Sequence, residues 1–301
     1  MRAFRLTRLA PTPSGYLHAG NILSFILTAG LARRSGAGIL LRIDDLDRDR
    51  FREEYLDEIF STLRFLEIPW TSGPLDSIDF HRHFSQHLRL HLYEDALMRL
   101  LSRNKLFACR CTRKQNSGPD ASTGYPGTCL HLNLPPDIMD HSWRLKPVAQ
   151  IHYPLTDAFG QTTSHSLPDD MQMSVVRRKD GLPAYHLASL TDDEFFEVDL
   201  VVRGADLLPS TIFQQALADC LGGVCGFKSA GFIHHPVLTA PDGHKLSKSA
   251  GSGSIVQMRK EGYSRSEIMQ RLAGMAGIEQ TVDSWEDLFS ELSARWLSDK
   301  G

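Results

Sequence analysis

The sequence predicts an α/β protein built on a doubly wound parallel sheet. Short apolar strand patterns alternate with helical ones near the N-terminus, and a Gly/Pro-rich turn joins the first strand to the first helix. A second strand–helix–strand stretch follows between about residues 194 and 238. The 301 residues suffice for one large domain or two ordinary ones.

Phe4–Leu9 reads as a first strand, although its arginines make it less apolar than most buried strands. Pro-Thr-Pro-Ser-Gly cannot extend it, because proline lacks an amide donor and fixes φ. Asn21 to Arg34 carries Ile22, Leu23, Phe25, Ile26, Leu27 and Leu31 and predicts a buried helix. "GAGILLRIDD" predicts a parallel strand with a glycine-rich entry and an acidic exit. Glu53–Leu66 and His87–Leu101 are amphipathic helices. From about 106 to 170 the pattern weakens, with three cysteines and many Pro and Gly, which predicts an insertion. The sheet is expected to resume at "EFFEVDLVVRGADL", followed by a helix over Ser210–Leu221 and a strand at "GFIHHPVL". Helical stretches at Ser264–Met275 and Trp285–Trp296 close the chain.

These elements are expected to divide the chain into four parts: residues 1–105 the first half of the sheet domain, 106–170 an inserted connective subdomain, 171–250 the second half with the lysine loop, and 251–301 a short helical C-terminal region.

With 42% apolar and 23% charged residues, the composition is that of a soluble globular protein. No run approaches the roughly 20 apolar residues that cross a bilayer. The N-terminus carries no signal-peptide pattern, so a cytoplasmic location is expected. Net charge is −3, which excludes a general basic coat; any nucleic acid must be held by a local basic surface. Five cysteines, an odd number, argue against a disulfide framework and for metal binding or burial.

The turn "TRLAPTPSGYLHAGN" is where chemistry is expected. A strand-to-helix loop lies at the carboxyl edge of a parallel sheet, and the helix N-terminus there offers free N–H groups to phosphate. Gly15 and Gly20 allow close approach of a nucleotide, and His18 between them can donate to phosphate oxygens. An ordinary turn with an exposed histidine fits the same residues. "HKLSKS" at His244–Ser249 places Lys245 and Lys248 in a Gly/Ser-rich loop after a strand. It reads either as a solvated basic loop or as cations that close on a triphosphate.

The two stretches together resemble the "HIGH" and "KMSKS" signatures of class I aminoacyl-tRNA synthetases. They stand here as His18-Ala19-Gly20-Asn21 and Lys245-Leu246-Ser247-Lys248-Ser249. "RLAPTPSGYLHAGN", "LLRIDDLDRDR", "DGLPAYHLASLTDD" and "VVRGADLLPSTIFQ" resemble, in family order, blocks of the glutamyl-tRNA synthetases over roughly residues 5 to 250. The resemblance implies a class I Rossmann-like fold and an aminoacyl-tRNA synthetase-like ligase using ATP, Mg²⁺ and L-glutamate. It implies ATP binding by His18, Gly20, Asn21 and Lys248, with Lys245 assisting catalysis. It places glutamate against Arg8, Thr12, Asp44, Tyr185 and Arg203. Thr12 and Asp44 depart from the family's usual Ser and Glu; aspartate is one methylene shorter, so Asp45, a bridging water or a closer backbone is expected to compensate.

Only some fifty residues follow the lysine loop, and a helical anticodon-binding domain is not expected among them. The layout resembles a stand-alone catalytic-domain branch of the family, which activates glutamate without tRNA. That branch transfers glutamate to the queuosine base in the anticodon of tRNA(Asp). The insertion agrees: Cys109-x-Cys111, Tyr125 and Cys129 resemble that branch's structural Zn²⁺ site, although chemistry alone favours His131 as fourth ligand over a phenol. Cys220 and Cys225 are expected in the core. Arg110, Arg113 and Lys114, and Arg177-Arg178-Lys179, are candidate phosphate contacts for RNA. A monomer is expected. The alternatives are a truncated glutamyl-tRNA synthetase charging the tRNA 3′ end, an adenylylating enzyme that uses no RNA, and a non-catalytic binding paralogue.

Overall fold

The computed structural model describes residues 1–112, 115, 124–136, 140–223, 225–238 and 254–297. A four-stranded parallel sheet forms its centre. The strands are β1 (Leu6–Leu9), β2 (Gly38–Leu41), β8 (Leu200–Gly204) and β9 (Gly231–His235), in the spatial order β2-β1-β8-β9. Chain order runs outward from β1 in both directions, so the topology switches between β1 and β8. Ligands of such sheets bind in the crevice at that point, beyond the strands' carboxyl ends.

Alternation along the strands sorts the core into two layers. Ile39, Leu41, Leu200, Val202 and Ile233 face one side; Leu40, Val201 and Phe232 face the other. The first layer packs on α1 (Ala19–Ser35), α2 (Glu53–Phe65), α6 (Ile255–Lys260), α7 (Arg265–Met275) and α8 (Trp285–Trp296). The second packs on α3 (Leu90–Ser102), α4 (Tyr185–Phe195) and α5 (Leu208–Leu221). The sheet is therefore covered on both faces, as its continuous apolar strands require.

Three expectations needed correction. Helix α1 begins at Ala19, two residues before the periodic pattern does, because His18 caps it. The sheet does not resume at Glu194: α4 runs to Phe195, Glu197 turns the chain with φ 56°, and β8 starts only at Leu200. The insertion is more regular than its composition suggests. Strands β3 (Leu106–Cys109), β4 (Ser142–Leu145) and β7 (Val175–Arg177) form an antiparallel sheet, whose third strand lies beyond residue 170. Its apolar residues Leu106, Trp143, Leu145 and Val176 join the second layer. A hairpin of β5 (His152–Thr156) and β6 (Thr162–Ser166) continues to a bridge between Asp157 and Phe232 at the edge of the central sheet.

Candidate functional site

A cavity of about 550 Å³ opens at the carboxyl ends of β1, β8 and β9. Its walls are Arg8 and Ala10 from β1 and its exit, the first turns of α1, Arg203 and Gly204 from β8, and the chain leaving β9. His18, Gly20, Asn21, Tyr185 and Arg203, far apart in sequence, all line it.

His18 occupies the N-cap of α1. Its Nδ1 accepts from the Gly20 amide at 3.1 Å, and Asn21 Oδ1 accepts from the His18 amide at 3.1 Å, which completes a capping box. Because Nδ1 is the acceptor, the neutral imidazole carries its proton on Nε2. A Cβ on Gly20 would stand 3.1 Å from His18 Cε1, so glycine lets the ring lie flat against the helix end. Asn21 spends its oxygen on the cap and keeps its amide group as a donor.

The opposite wall is cationic. Arg8 Nε donates to Asp193 Oδ1 at 3.1 Å, and Arg42 Nη1 donates to the same oxygen at 2.7 Å. Arg42 also binds Asp44 through two nitrogens, at 2.8 and 3.1 Å. Arg203 has no such partner among the described residues. Its Nη1 donates to Gln214 at 2.9 Å, while Nε and Nη2 are buried with no hydrogen-bond partner among them. Burial and the neighbouring Arg8 pull its pKa down to about 10, against the opposing pull of Tyr185 and Asp193. Three guanidiniums thus face two buried carboxylates on this side, and a further carboxylate, Asp206, lines the cavity. Buried charge of this kind is costly unless an anion completes it. His186 beside it is held neutral, with a pKa of about 4, by burial and by Arg203.

The remaining site expectations separate. Thr12 is exposed and Asp44 faces Arg42; neither lines the cavity. Asp45 does not take the place of Asp44, since its oxygens accept from Ser85 at 2.6 Å and the Gln86 amide at 2.8 Å. Lys245 and Lys248 lie outside the described residues. Arg42, Asp193, Gln214 and Trp296 were not expected at the site. The pairing of Arg42 with Asp44 could have been found, because residues two apart in an extended chain point to the same side.

In the insertion, Cys109, Cys111 and Cys129 are buried with their sulfurs within 4.8 Å of one another. The Tyr125 hydroxyl stands 3.3 Å from Cys109 Sγ and 3.6 Å from Cys111 Sγ and accepts from the Cys129 amide at 2.9 Å. His131 is exposed and outside the group. Burial opposes ionisation of Cys109, yet hydrogen bonding with Tyr125 and Arg144 brings its pKa to about 7. Three converging soft sulfurs with a fourth oxygen fit a tetrahedral zinc ion. Cys220 is buried and Cys225 partly so, its thiol 3.1 Å from Glu194.

Of the basic clusters, Arg178 pairs with Asp180, Arg177 lies over the Trp143 ring and Lys179 donates to the Arg110 carbonyl. Arg113 and Lys114 lie outside the described residues. Among the described residues no helix is long and apolar enough to cross a membrane.

Residues 6–291 match the family described as tRNA synthetases class I (E and Q), catalytic domain. The chain is 37% identical over 248 residues to the glutamyl-Q tRNA(Asp) synthetase of Methylococcus capsulatus, covering 82% of this chain and 77% of the relative. It is 36% identical over 286 residues to the protein of the same name from Symbiobacterium thermophilum, covering 90% and 86%. The crystal structure of glutamate-tRNA synthetase from Elizabethkingia anophelis shares the fold at TM-score 0.73 and 21% identity. There the match covers 96% of this chain and 65% of that one.

Proposed function

The chain belongs to the class I tRNA synthetase (E and Q) catalytic-domain family, and from that premise we propose that it activates L-glutamate with ATP and transfers it to the queuosine base of tRNA(Asp). The observation that carries the substrate assignment is Arg203, a buried guanidinium with two nitrogens unpartnered among the described residues, in a cavity shared with His18. Glutamate brings two carboxylates, and Arg8 and Arg203 supply one cation for each. A guanidinium reads a carboxylate through paired N–H donors, and the amide of glutamine would meet it with one N–H group donor to donor.

A carboxylate oxygen of glutamate attacks the α-phosphorus of ATP in line. The new C–O–P bond forms as the bond to pyrophosphate breaks, giving glutamyl-adenylate. No covalent enzyme intermediate is needed, so catalysis is positioning and charge stabilisation. His18 donates from Nε2 to phosphate at the positive end of α1, with the Asn21 amide beside it. Lys245 and Lys248 take the charge that develops on pyrophosphate, and Mg²⁺ accompanies the nucleotide. Tyr185, at the mouth, closes over glutamate. Asp44 acts through Arg42, which with Asp193 holds Arg8 in place. Transfer then moves the glutamyl group from the adenylate to a queuosine hydroxyl, releasing AMP.

ATP–pyrophosphate exchange with glutamate and no RNA is the first test, and a clear signal is expected. An absent signal with glutamate and a clear one with another amino acid would reject the substrate. Transfer is then measured on queuosine-bearing tRNA(Asp) whose 3′ ribose has been oxidised with periodate. Undiminished glutamylation is expected; loss of it would favour charging at the 3′ end.

Cys109, Cys111, Tyr125 and Cys129 are proposed to hold one structural zinc. Elemental analysis should find about one zinc per chain. Cys111→Ser should lose it and melt roughly 5 °C lower; a metal-free wild type with unchanged melting would reject the site.

A further inference from the structure

The cavity's three walls differ in chemistry. Arg8 and Arg203 make one cationic, the N-terminus of α1 makes another suited to phosphate, and the third, beyond β9, is apolar and aromatic. That third wall presents Pro236, Val237, Leu238 and, from the far end of the sequence, Trp296 of α8; His235, Leu207 and the carboxylate of Asp206 line the cavity as well. Trp296 is stacked on His235, with centroids 5.6 Å apart and planes within 5° of parallel. His235 is only 4% exposed, whereas the indole is half-buried, so the indole is the ring offered to the cavity. His235 is fixed from behind: its Nδ1 pairs with the Pro236 carbonyl at 2.8 Å, which places the proton there. Its Nε2 is then an acceptor, buried without a partner among the described residues. Helix α8 is seated on α1, the helix that His18 caps, with Phe289 against Gly30.

We infer that Trp296 is the base-binding residue of the nucleotide site: its indole stacks on the planar base of ATP, and His235 holds it in position. The C-terminal helix is therefore a working wall of the active site and not only a cover for the sheet. This rests on the nucleotide reading above. Stacking of a base on an aromatic side chain is sequence-tolerant and strong enough to matter, since every base has a π-face. The phosphates engage α1 and leave this wall to the ring, so different walls hold the two ends of the ligand.

Calorimetric titration of the full chain with ATP and with inorganic tripolyphosphate tests it. Trp296→Ala is expected to weaken ATP binding about tenfold or more. It should leave tripolyphosphate binding and the KM for glutamate within about twofold of wild type. Trp296→Phe, which keeps a ring, should restore ATP binding to within about threefold. Trp296→Ala that folds like wild type and binds ATP equally well would overturn the inference. If that variant does not fold, fluorescence decides. ATP should quench the wild type, and the quench should vanish in Trp296→Phe, which keeps Trp70, Trp143 and Trp285; a persistent quench would overturn the inference. A wild type that binds no ATP would instead overturn the nucleotide reading itself.

Discussion

Arg203→Met is expected to lower kcat/KM for glutamate activation about a thousandfold, a loss near 4 kcal/mol. The same change should raise the melting temperature of the ligand-free protein. The two effects share one cause. Arg203 is 4% exposed, and among the described residues its Nε and Nη2 have no partner and its hydrogen bond is to Gln214. Burial away from a carboxylate partner makes this charge a cost to the fold, and it pulls the pKa down to about 10. The sign follows directly: a base whose pKa is depressed by folding destabilises the fold at any pH where it is protonated in both states, pH 7 included. Methionine keeps much of the volume and removes the charge. After allowing for the lost bond to Gln214, a gain of about 1–2 kcal/mol is expected. Scanning calorimetry with and without glutamate checks it: glutamate should raise the melting temperature of the wild type and leave that of Arg203→Met unmoved. A variant that is both less active and less stable without ligand would show that Arg203 is a structural residue.

The doubly wound sheet and the edge at which its cavity opens were legible because local chemistry decided them. Proline ends β1, glycine admits the close turn, and the apolar residues of β2, β8 and β9 leave no polar face. His18 was legible as a loop residue but not as a cap, although Asn21 three residues later is the partner that a capping box needs. The second layer of the site was hidden for a different reason. Asp192 and Asp193 end the block "DGLPAYHLASLTDD", where nothing local marks them as buried. In the fold both are buried: Asp193 receives Arg8 and Arg42, while Asp192 receives Arg89, Gln86 and Tyr93. Each partner lies some 100 residues or more away, apart from its neighbours in sequence, so no local pattern could reveal the pairing. Trp296 was hidden likewise. Its helix reads as an ordinary amphipathic one, and only the packing of α8 on α1 brings the indole to the cavity. The antiparallel sheet of the insertion escaped because its strands are three or four residues long and separated by the cysteine segment.

Gly30→Ala should destabilise the protein by about 3 kcal/mol, although alanine favours helix over glycine by about 1 kcal/mol. Gly30 lies midway along α1, where nothing in the backbone asks for glycine. The reason is α8: a Cβ at Gly30 would stand 2.0 Å from Phe289 Cδ2 and 2.1 Å from its Cγ. Contact with Cγ means the ring cannot escape by swinging its far edge, so Phe289 must leave its place or α8 must lift. Lifting α8 would also carry Trp296 away from His235, and ATP binding should weaken several-fold in the same variant. Thermal melting reads the first effect, and the background in which it is measured separates the explanations. In Phe289→Ala the overlap is gone, so only helix propensity remains, and Gly30→Ala should there be stabilising by about 0.5–1 kcal/mol. The reversal of sign is the decisive outcome. If the substitution destabilises both backgrounds equally, Gly30 is required by α1 alone, and the seating of α8 does not depend on it.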